Sequence, residues 1–474
     1  MIAIGSGSAM SIVNAVIRRV PEKKVAVIDK DDPGGICLTR GCIPSKILLY
    51  PAELVRTVQK VGKFGLELDF KDVDFEGVME RMRKLIDEDI KSIRHGLSSS
   101  DKIDYYSNVA EFTAPYTLKV GGETIRADMI FLCTGSKPNI PPIKGLKETG
   151  YLTSNTVLNL KGLPESIAIV GGGYIAAEYG HFFSAMGSEV TIIGRNPQFL
   201  PQEEPEISAL AEREFKQYMT VMTNHEVQAV EQTSTGAKRS IALNRENGEE
   251  IQVITEEILV ATGRSPNTDV LQPEKGEIET DSRGWIKVDE HLETSQPNIW
   301  ALGDANGNYL FKHVANYEAE VVYNNALLNE DMAVDYHAIP HAVFSYPEIS
   351  SVGLREEQAI DQYGQENVLI GIQRYQDTAK GEAMGLKDYF VKVLVEKETL
   401  KILGAHIIGP YASVLIQEII NLMYTPQQSA EPIMNGMHIH PALNEVVERA
   451  FYSLMPPEKY HHTITEHFGL LPRT

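Results

Sequence analysis

The stretch 166–194, SIAIVGGGYIAAEYGHFFSAMGSEVTIIG, reads as strand, turn, helix, strand. SIAIV is a short apolar run rich in β-branched residues, the pattern of a strand covered on both faces. Gly171-x-Gly173-x-x-Ala176 then turns the chain into the helical AEYGHFFSAMG, and SEVTIIG returns as a second strand. Two strands joined through a helix make a βαβ unit and a parallel sheet. In such a loop the first glycine permits the tight turn. The second lets backbone N–H groups reach a pyrophosphate at the helix N-terminus.

Working outward, the N-terminus repeats the pattern: IAI is a strand, GSGSAM a turn, SIVNAVIRRV a helix and KKVAVID a strand. Gly5-x-Gly7 fits the same dinucleotide fingerprint, although Met10 stands where a third small residue is usual. Asp29 ends the second strand, where an acid accepts hydrogen bonds from an adenosine ribose. The matching position in the later unit is Gly194, followed by Arg195. An acid there would repel a 2′-phosphate, and an arginine accommodates one. NADP(H) is therefore expected over NAD(H), the alternative being that Arg195 is a solvated surface charge. Each unit is followed by a strand with a Thr-Gly ending, ADMIFLCTGSKPN (127–139) and EEILVATGRSPN (256–267). The repeat points to two related nucleotide-binding domains. Helices are expected over 43–62 and 74–95, and a hairpin around Gly121-Gly122. Toward the C-terminus, YFVKVLVEKETLKILGAHIIGP (389–410) reads as an antiparallel hairpin and SVLIQEIINLMY (413–424) as a helix, an α+β arrangement.

At 474 residues, roughly three domains of about 150 residues are expected. The net charge of −21 disfavours nucleic acid and anionic membranes, which attract positive patches. No apolar run approaches the roughly 20 residues that cross a bilayer. MIAIGSGSAM lacks the basic start of a signal peptide, and three cysteines are too few for a secreted disulfide framework. A reducing, cytoplasmic setting is expected.

Two of those cysteines lie in GGICLTRGCIPSK, residues 34–46. Pro44 suits the first turn of a helix, which would put Cys42 at a helix N-terminus where the dipole favours a thiolate. Cys37 and Cys42 then read as a redox-active pair. They also read as two thiols packed as small hydrophobes, or as metal ligands; a metal needs further ligands, none lies nearby, and no metal is expected. Cys133, in MIFLCTG, reads as core.

Gly34-Gly35-x-Cys37-x-x-x-x-Cys42-x-Pro44-x-Lys46 resembles the active-site signature of the FAD-dependent pyridine nucleotide–disulfide oxidoreductases. IWALGDANG (299–307), AVFSYPEISSVG (342–353) and HIHPALNEVVE (438–448) resemble, in family order, the second FAD contact, the entry to the dimerisation domain and the catalytic tail. The resemblance covers essentially the whole chain. It implies two Rossmann-like nucleotide-binding domains and a C-terminal α+β dimerisation domain. The expected spans are 1–147 for the FAD-binding domain, 148–268 for the NAD(P)-binding domain, 269–336 for FAD binding continued, and 337–474 for dimerisation.

By the resemblance, Cys42 faces the flavin as a charge-transfer thiolate and Cys37 exchanges with the substrate sulfur. Lys46 pairs with Glu178 near the flavin, and Tyr174 covers the nicotinamide pocket. His440 and Glu445 act as the acid–base pair, contributed by the partner subunit of a homodimer; thiol–disulfide exchange needs a base for the attacking thiol and an acid for the leaving one. His438 is a neighbour. FAD-binding positions are Gly5, Gly7, Asp29, Gly35, Thr134, Gly135, Gly303 and Asp304. NADP(H)-binding positions are Gly171, Gly173, Tyr174, Ala176, Arg195 and Gly263. The simplest activity implied is that of dihydrolipoyl dehydrogenase, acting on a lipoyl substrate. KHVAN (312–316) and HPALNEVVE look closer to mycothione reductase, so NADPH-dependent reduction of a small disulfide, of mycothione or glutathione reductase type, is the alternative. An NAD(P)H oxidase or electron-carrier reductase is a further one.

Overall fold

The computed structural model describes residues 1–20 and 22–468, so the end of the expected C-terminal domain lies outside the described residues. The N-terminal unit forms an all-parallel sheet in the order Ile299–Ala301, Ile130–Leu132, Ile2–Ile4, Val25–Ile28, Ile103–Tyr106. The second unit forms another, in the order Thr220–Met222, Glu189–Ile193, Ser166–Val170, Glu257–Val260, Leu152–Thr153. In both, the strand before the glycine turn lies mid-sheet and is buried on both faces, as its unbroken apolar run requires. The helices Ala9–Arg19 and Tyr174–Met186 follow the two turns. The sequence echo has a physical counterpart: Ser136–Pro138 and Arg264–Pro266, which follow the two Thr-Gly endings, pair antiparallel with each other and tie the units together.

The helix expected over 43–62 spans Cys42–Lys60, and that expected over 74–95 spans Phe75–Ser98, capped by the Asp74 carboxylate on the Gly77 N–H. Gly121 and Gly122 join Thr117–Val120 to Glu123–Arg126 with φ of 56° and 93°, the left-handed pair that a tight hairpin demands. The 389–410 hairpin is Phe390–Glu396 paired with Ile402–Ile408, inside a five-stranded antiparallel sheet. The 413–424 segment is two short helices, Ala412–Leu415 and Gln417–Met423, rather than one. Gly35–Arg40 is a short helix that the flanking glycines concealed. Among the described residues no helix is long and apolar enough to cross a membrane.

A buried ion cluster locks the second nucleotide unit to the C-terminal sheet. Lys392, fully buried, places its ammonium 2.6 Å from Glu206, 2.7 Å from Glu356 and 3.3 Å from Glu204, three acids otherwise close enough together to hold a cation. The Tyr460 hydroxyl donates to Glu206, and His461 Nε2 lies 2.6 Å from Glu356. Burial opposes the charge on Glu206, but Lys392 overcomes it and holds the carboxyl below its usual range. Lys392→Met leaves three buried acids without their cation. It should cost about 3–5 kcal/mol near neutral pH, read from urea unfolding. Without Lys392, burial raises Glu206 and it binds its proton more tightly when folded. The variant should therefore regain stability as pH is lowered from about 8 to about 5, whereas the parent's contribution from Glu206 is lost only as pH falls through its depressed folded value.

Candidate active site

The first glycine turn opens onto a cavity bounded by both nucleotide units. Gly5 has φ of 106°, donates its N–H to Ile28 O at 2.7 Å, and leaves no room for a Cβ, which would meet Cys133 O at 2.1 Å. Gly35 lies against Gly7 so closely that a Cβ on it would stand 2.6 Å from the Gly7 Cα. Phosphate loop and cysteine segment thus share one wall. Asp29 lines the cavity, and its Oδ2 accepts from Ser6 N at 2.9 Å and Ser6 Oγ at 2.5 Å. Thr134, Gly135, Gly303 and Asp304 line the cavity as well. There the Gly303 N–H donates to Glu318 Oε2 at 2.5 Å, and Asp304 accepts from Ser136 Oγ. Thr134 Oγ1 is buried without a hydrogen-bond partner in the cavity wall. A glycine cradle, a ribose-side acid and an unsatisfied hydroxyl fit FAD.

Cys37, Cys42, Lys46 and Glu178 line the same cavity. Cys42 opens the helix Cys42–Lys60 and Cys37 rides on Gly35–Arg40. The corner at Gly41, where a Cβ would meet Ile36 O at 2.7 Å, brings the two together. Both are thiols in this structure, the reduced form of the expected pair. A hydrogen bond from Cys37, with help from Lys46, outweighs desolvation and lowers Cys42 to about 7; the same bond, with burial, pushes Cys37 far up. Of the reduced pair, Cys42 is therefore the sulfur that ionises more readily. Lys46 Nζ meets Glu178 Oε1 at 2.7 Å and Oε2 at 2.9 Å, and lies 4.4 Å from the Phe344 ring centre. Glu178, buried, also accepts from the Phe344 N–H at 3.1 Å.

The second glycine turn faces a separate cavity lined by Gly171, Gly173, Gly263 and Arg195. Gly171, with φ of 130°, donates to Ile193 O at 2.9 Å, and its Cβ would meet Ala261 O at 2.2 Å. Nothing lies within 4 Å of the missing Cβ of Gly173 or Gly263, which leaves their backbone open to a ligand. Ala176 is fully buried in the helix and outside the cavity wall, where its small size serves helix–strand packing. Arg195 has no carboxylate within ion-pair distance among the described residues. Its carbonyl accepts from Arg245 Nη1 at 3.0 Å, and Arg245 in turn lies 3.7 Å from Glu226, which lines the cavity. Tyr174 lines both cavities.

His440 Nδ1 lies 3.0 Å from Glu445 Oε1, and that bond holds Glu445 below its usual range. The His440 side chain is 67% exposed while Glu445 is buried. Among the described residues His440 does not line the cysteine cavity of its own chain. Met437 and Ile439, beside it in the chain, are exposed, apolar side chains of the kind that mark an interface. His438 is instead enclosed between Glu418, 3.6 Å away, and Glu448, 3.5 Å away.

Residues that sequence reasoning missed are polar anchors from distant segments. Arg264 donates to Ser136 Oγ at 2.6 Å and lies 3.7 Å from Asp304. Lys312 Nζ donates to Ser8 Oγ at 2.7 Å at the cavity edge. Glu318, fully buried, takes Gly303 N–H, Asn306 and the Tyr336 hydroxyl. Arg264 had one signal, its place directly after the repeated Thr-Gly ending; Glu318 had none.

Alkylation of the reduced protein by iodoacetamide, followed residue by residue by mass spectrometry, should rise at Cys42 with a midpoint near pH 7. Lys46→Met removes a charge that favours the thiolate and should move the midpoint upward.

Comparison with known proteins agrees with this geometry. The family model for pyridine nucleotide-disulphide oxidoreductases matches residues 1–319, and that for their dimerisation domain matches 339–451. The chain is 36% identical over 462 residues to mycothione reductase of Mycobacterium tuberculosis, covering 95% of this chain and 98% of that protein. It is 33% identical over 475 residues to dihydrolipoyl dehydrogenase of Chlamydia muridarum, covering 97% and 98%. Among solved structures it resembles the HOCl-induced flavoprotein disulfide reductase RclA of Escherichia coli, with a TM-score of 0.83, 27% identity, and coverage of 95% and 99%. The chain belongs to the pyridine nucleotide-disulphide oxidoreductase family.

Proposed function

We propose that the protein is an NADPH-dependent reductase of a small disulfide, of the mycothione reductase type, working as a homodimer. The observation that carries this reading is the polarised thiol pair beside Lys46–Glu178, in the cavity of the first dinucleotide loop. Bound FAD supplies the two-electron relay between the nicotinamide and the sulfur pair. The preference for NADPH rests on Arg195, which has no carboxylate within ion-pair distance among the described residues. The mycothione reductase relative supports it. A chain of 474 residues with three cysteines fits a cytoplasmic setting.

The chain's own groups account for the sulfur chemistry. Cys42 carries the thiolate and Cys37 its proton, so the exchanging sulfur needs a base before it can attack. His440 of the partner subunit, its Nδ1 held by Glu445, takes that proton on Nε2. Cys37 then attacks one substrate sulfur, forming a mixed disulfide, and the departing thiolate takes the proton back from His440. Cys42 attacks Cys37 Sγ, closes the Cys37–Cys42 disulfide and releases the second substrate thiolate. Two electrons leave the pair, and one disulfide becomes a thiol and a thiolate, which takes its proton from solvent. Lys46 favours the anionic form of Cys42.

Oxidation of a dihydrolipoyl substrate toward NAD+ is the second reading. It is favoured by the dihydrolipoyl dehydrogenase relatives and by Glu226, an acid in the nucleotide cavity that can accept from a ribose 2′-hydroxyl.

Anaerobic titration with NADPH and NADH, followed by turnover with glutathione disulfide, mycothione disulfide and lipoamide, separates the readings. Faster flavin reduction by NADPH with turnover of a non-lipoyl disulfide supports the first; NADH preference with lipoamide turnover overturns it. Cys37→Ser should abolish disulfide turnover while nucleotide still bleaches the flavin; an oxidase would keep its turnover. His440→Gln should lower disulfide turnover by about 10²–10⁴-fold with flavin reduction unchanged. Arg195→Ser should raise the KM for NADPH relative to NADH by about tenfold in steady-state kinetics.

A further inference from the structure

The passage between the two cavities is closed by a ring stack that the sequence did not foretell. The Tyr174 ring lies on the His341 imidazole, with centroids 5.3 Å apart and 22° between planes. His341 lies in turn on Phe311, at 5.9 Å and 3°. Tyr174 and Phe311 line both cavities, and His341 lines the nucleotide one. His341 Nε2 is 2.8 Å from Glu203 Oε1. Glu203 is fully enclosed, and its other oxygen accepts from Ser351 Oγ at 2.7 Å. Burial and the facing Glu203 carboxylate push the Tyr174 hydroxyl well above its ordinary value, so it stays protonated beside that acid. One buried carboxylate therefore braces both the imidazole beneath the tyrosine and the tyrosine itself.

Resting on the reading that the two cavities take FAD and a nicotinamide nucleotide, we propose that His341 and Glu203 are positioning residues that latch Tyr174 across the passage and set the cost of admitting the nicotinamide ring. A ring entering from the nucleotide cavity must displace Tyr174, which ends its stack on His341 and its contact with Glu203. The adenosine half, bound at the far end by Gly173 and Arg195, requires no such movement. Affinity for a whole dinucleotide is thus reduced by the fraction of molecules with Tyr174 released, and affinity for the adenosine half is not. His341 is an intermediate-exposure side chain with a fully buried partner, so the brace is fixed on the protein side and free to part on the ligand side.

Calorimetry on the oxidised, flavin-containing protein tests this. NADP+ and NAD+ are each compared with their adenosine halves, 2′,5′-ADP and 5′-ADP. His341→Leu and Glu203→Gln should each tighten the dinucleotides by about three- to tenfold and leave the halves within twofold of the parent. His341→Phe keeps the stack without the Glu203 bond and should fall between. Unchanged or weakened dinucleotide binding in soluble His341→Leu overturns the latch, as does an equal change in dinucleotide and half. Failure of the parent to bind either dinucleotide overturns the family reading of the cavity and the latch with it. Binding by the parent followed by indifferent variants removes the latch alone.

Discussion

The Lys46–Glu178 pair is the contact on which the active-site cavity depends. Lys46 belongs to the helix that begins at Cys42, Glu178 to the helix that begins at Tyr174, and the Phe344 N–H that completes the carboxylate belongs to the C-terminal sheet region. Cysteine helix, nucleotide helix and C-terminal domain therefore meet at one carboxylate. An exposed pair of this kind contributes little to stability. With Glu178 buried and both its oxygens engaged, its value is geometric. It fixes the distance from the thiolate to the ammonium, and hence the charge that the cavity presents to whatever occupies it.

Buried acids serve as joints elsewhere in this acidic chain. Glu203 joins the loop before Pro205–Phe215 to His341 and Ser351; Glu204 and Glu206 join the same region to Lys392; Glu318 joins Lys312–Leu328 to Gly303 and Tyr336. Each carboxylate accepts bonds from two or more segments distant in sequence. A carboxylate has about four acceptor sites and no donor, so it can gather several donors at a point where an apolar side chain would only fill space. The cost of burying the charge is met locally by those donors.

What could be read in the sequence was what is local. The glycine turns, Asp29, Arg195 and the 34–46 stretch are contiguous signals, and their residues gather in the two cavities. The repeated Thr-Gly endings carried more than similarity, since the segments after them pair strand to strand. His440 and Glu445 were legible together because the short turn that leads into the helix Glu445–Tyr452 brings them into contact. Arg264–Asp304, Glu318–Gly303 and Glu203–His341 were not, because each couples segments whose proximity exists only after folding. The helix Gly35–Arg40 was hidden for the opposite reason. It is so short, and so flanked by glycine, that packing and not propensity decides it.

The outward aim of His440 carries one more consequence. Its brace is buried and its ring is open to solvent, in a chain whose thiols lie in another cavity. On the proposed reading, in which His440 serves the thiols of a partner subunit, each competent centre counts pairs of chains rather than chains. On dilution, turnover per molecule would decline as pairs separate, even though every separated chain kept its fold, its cofactors and its ability to be bleached by nucleotide.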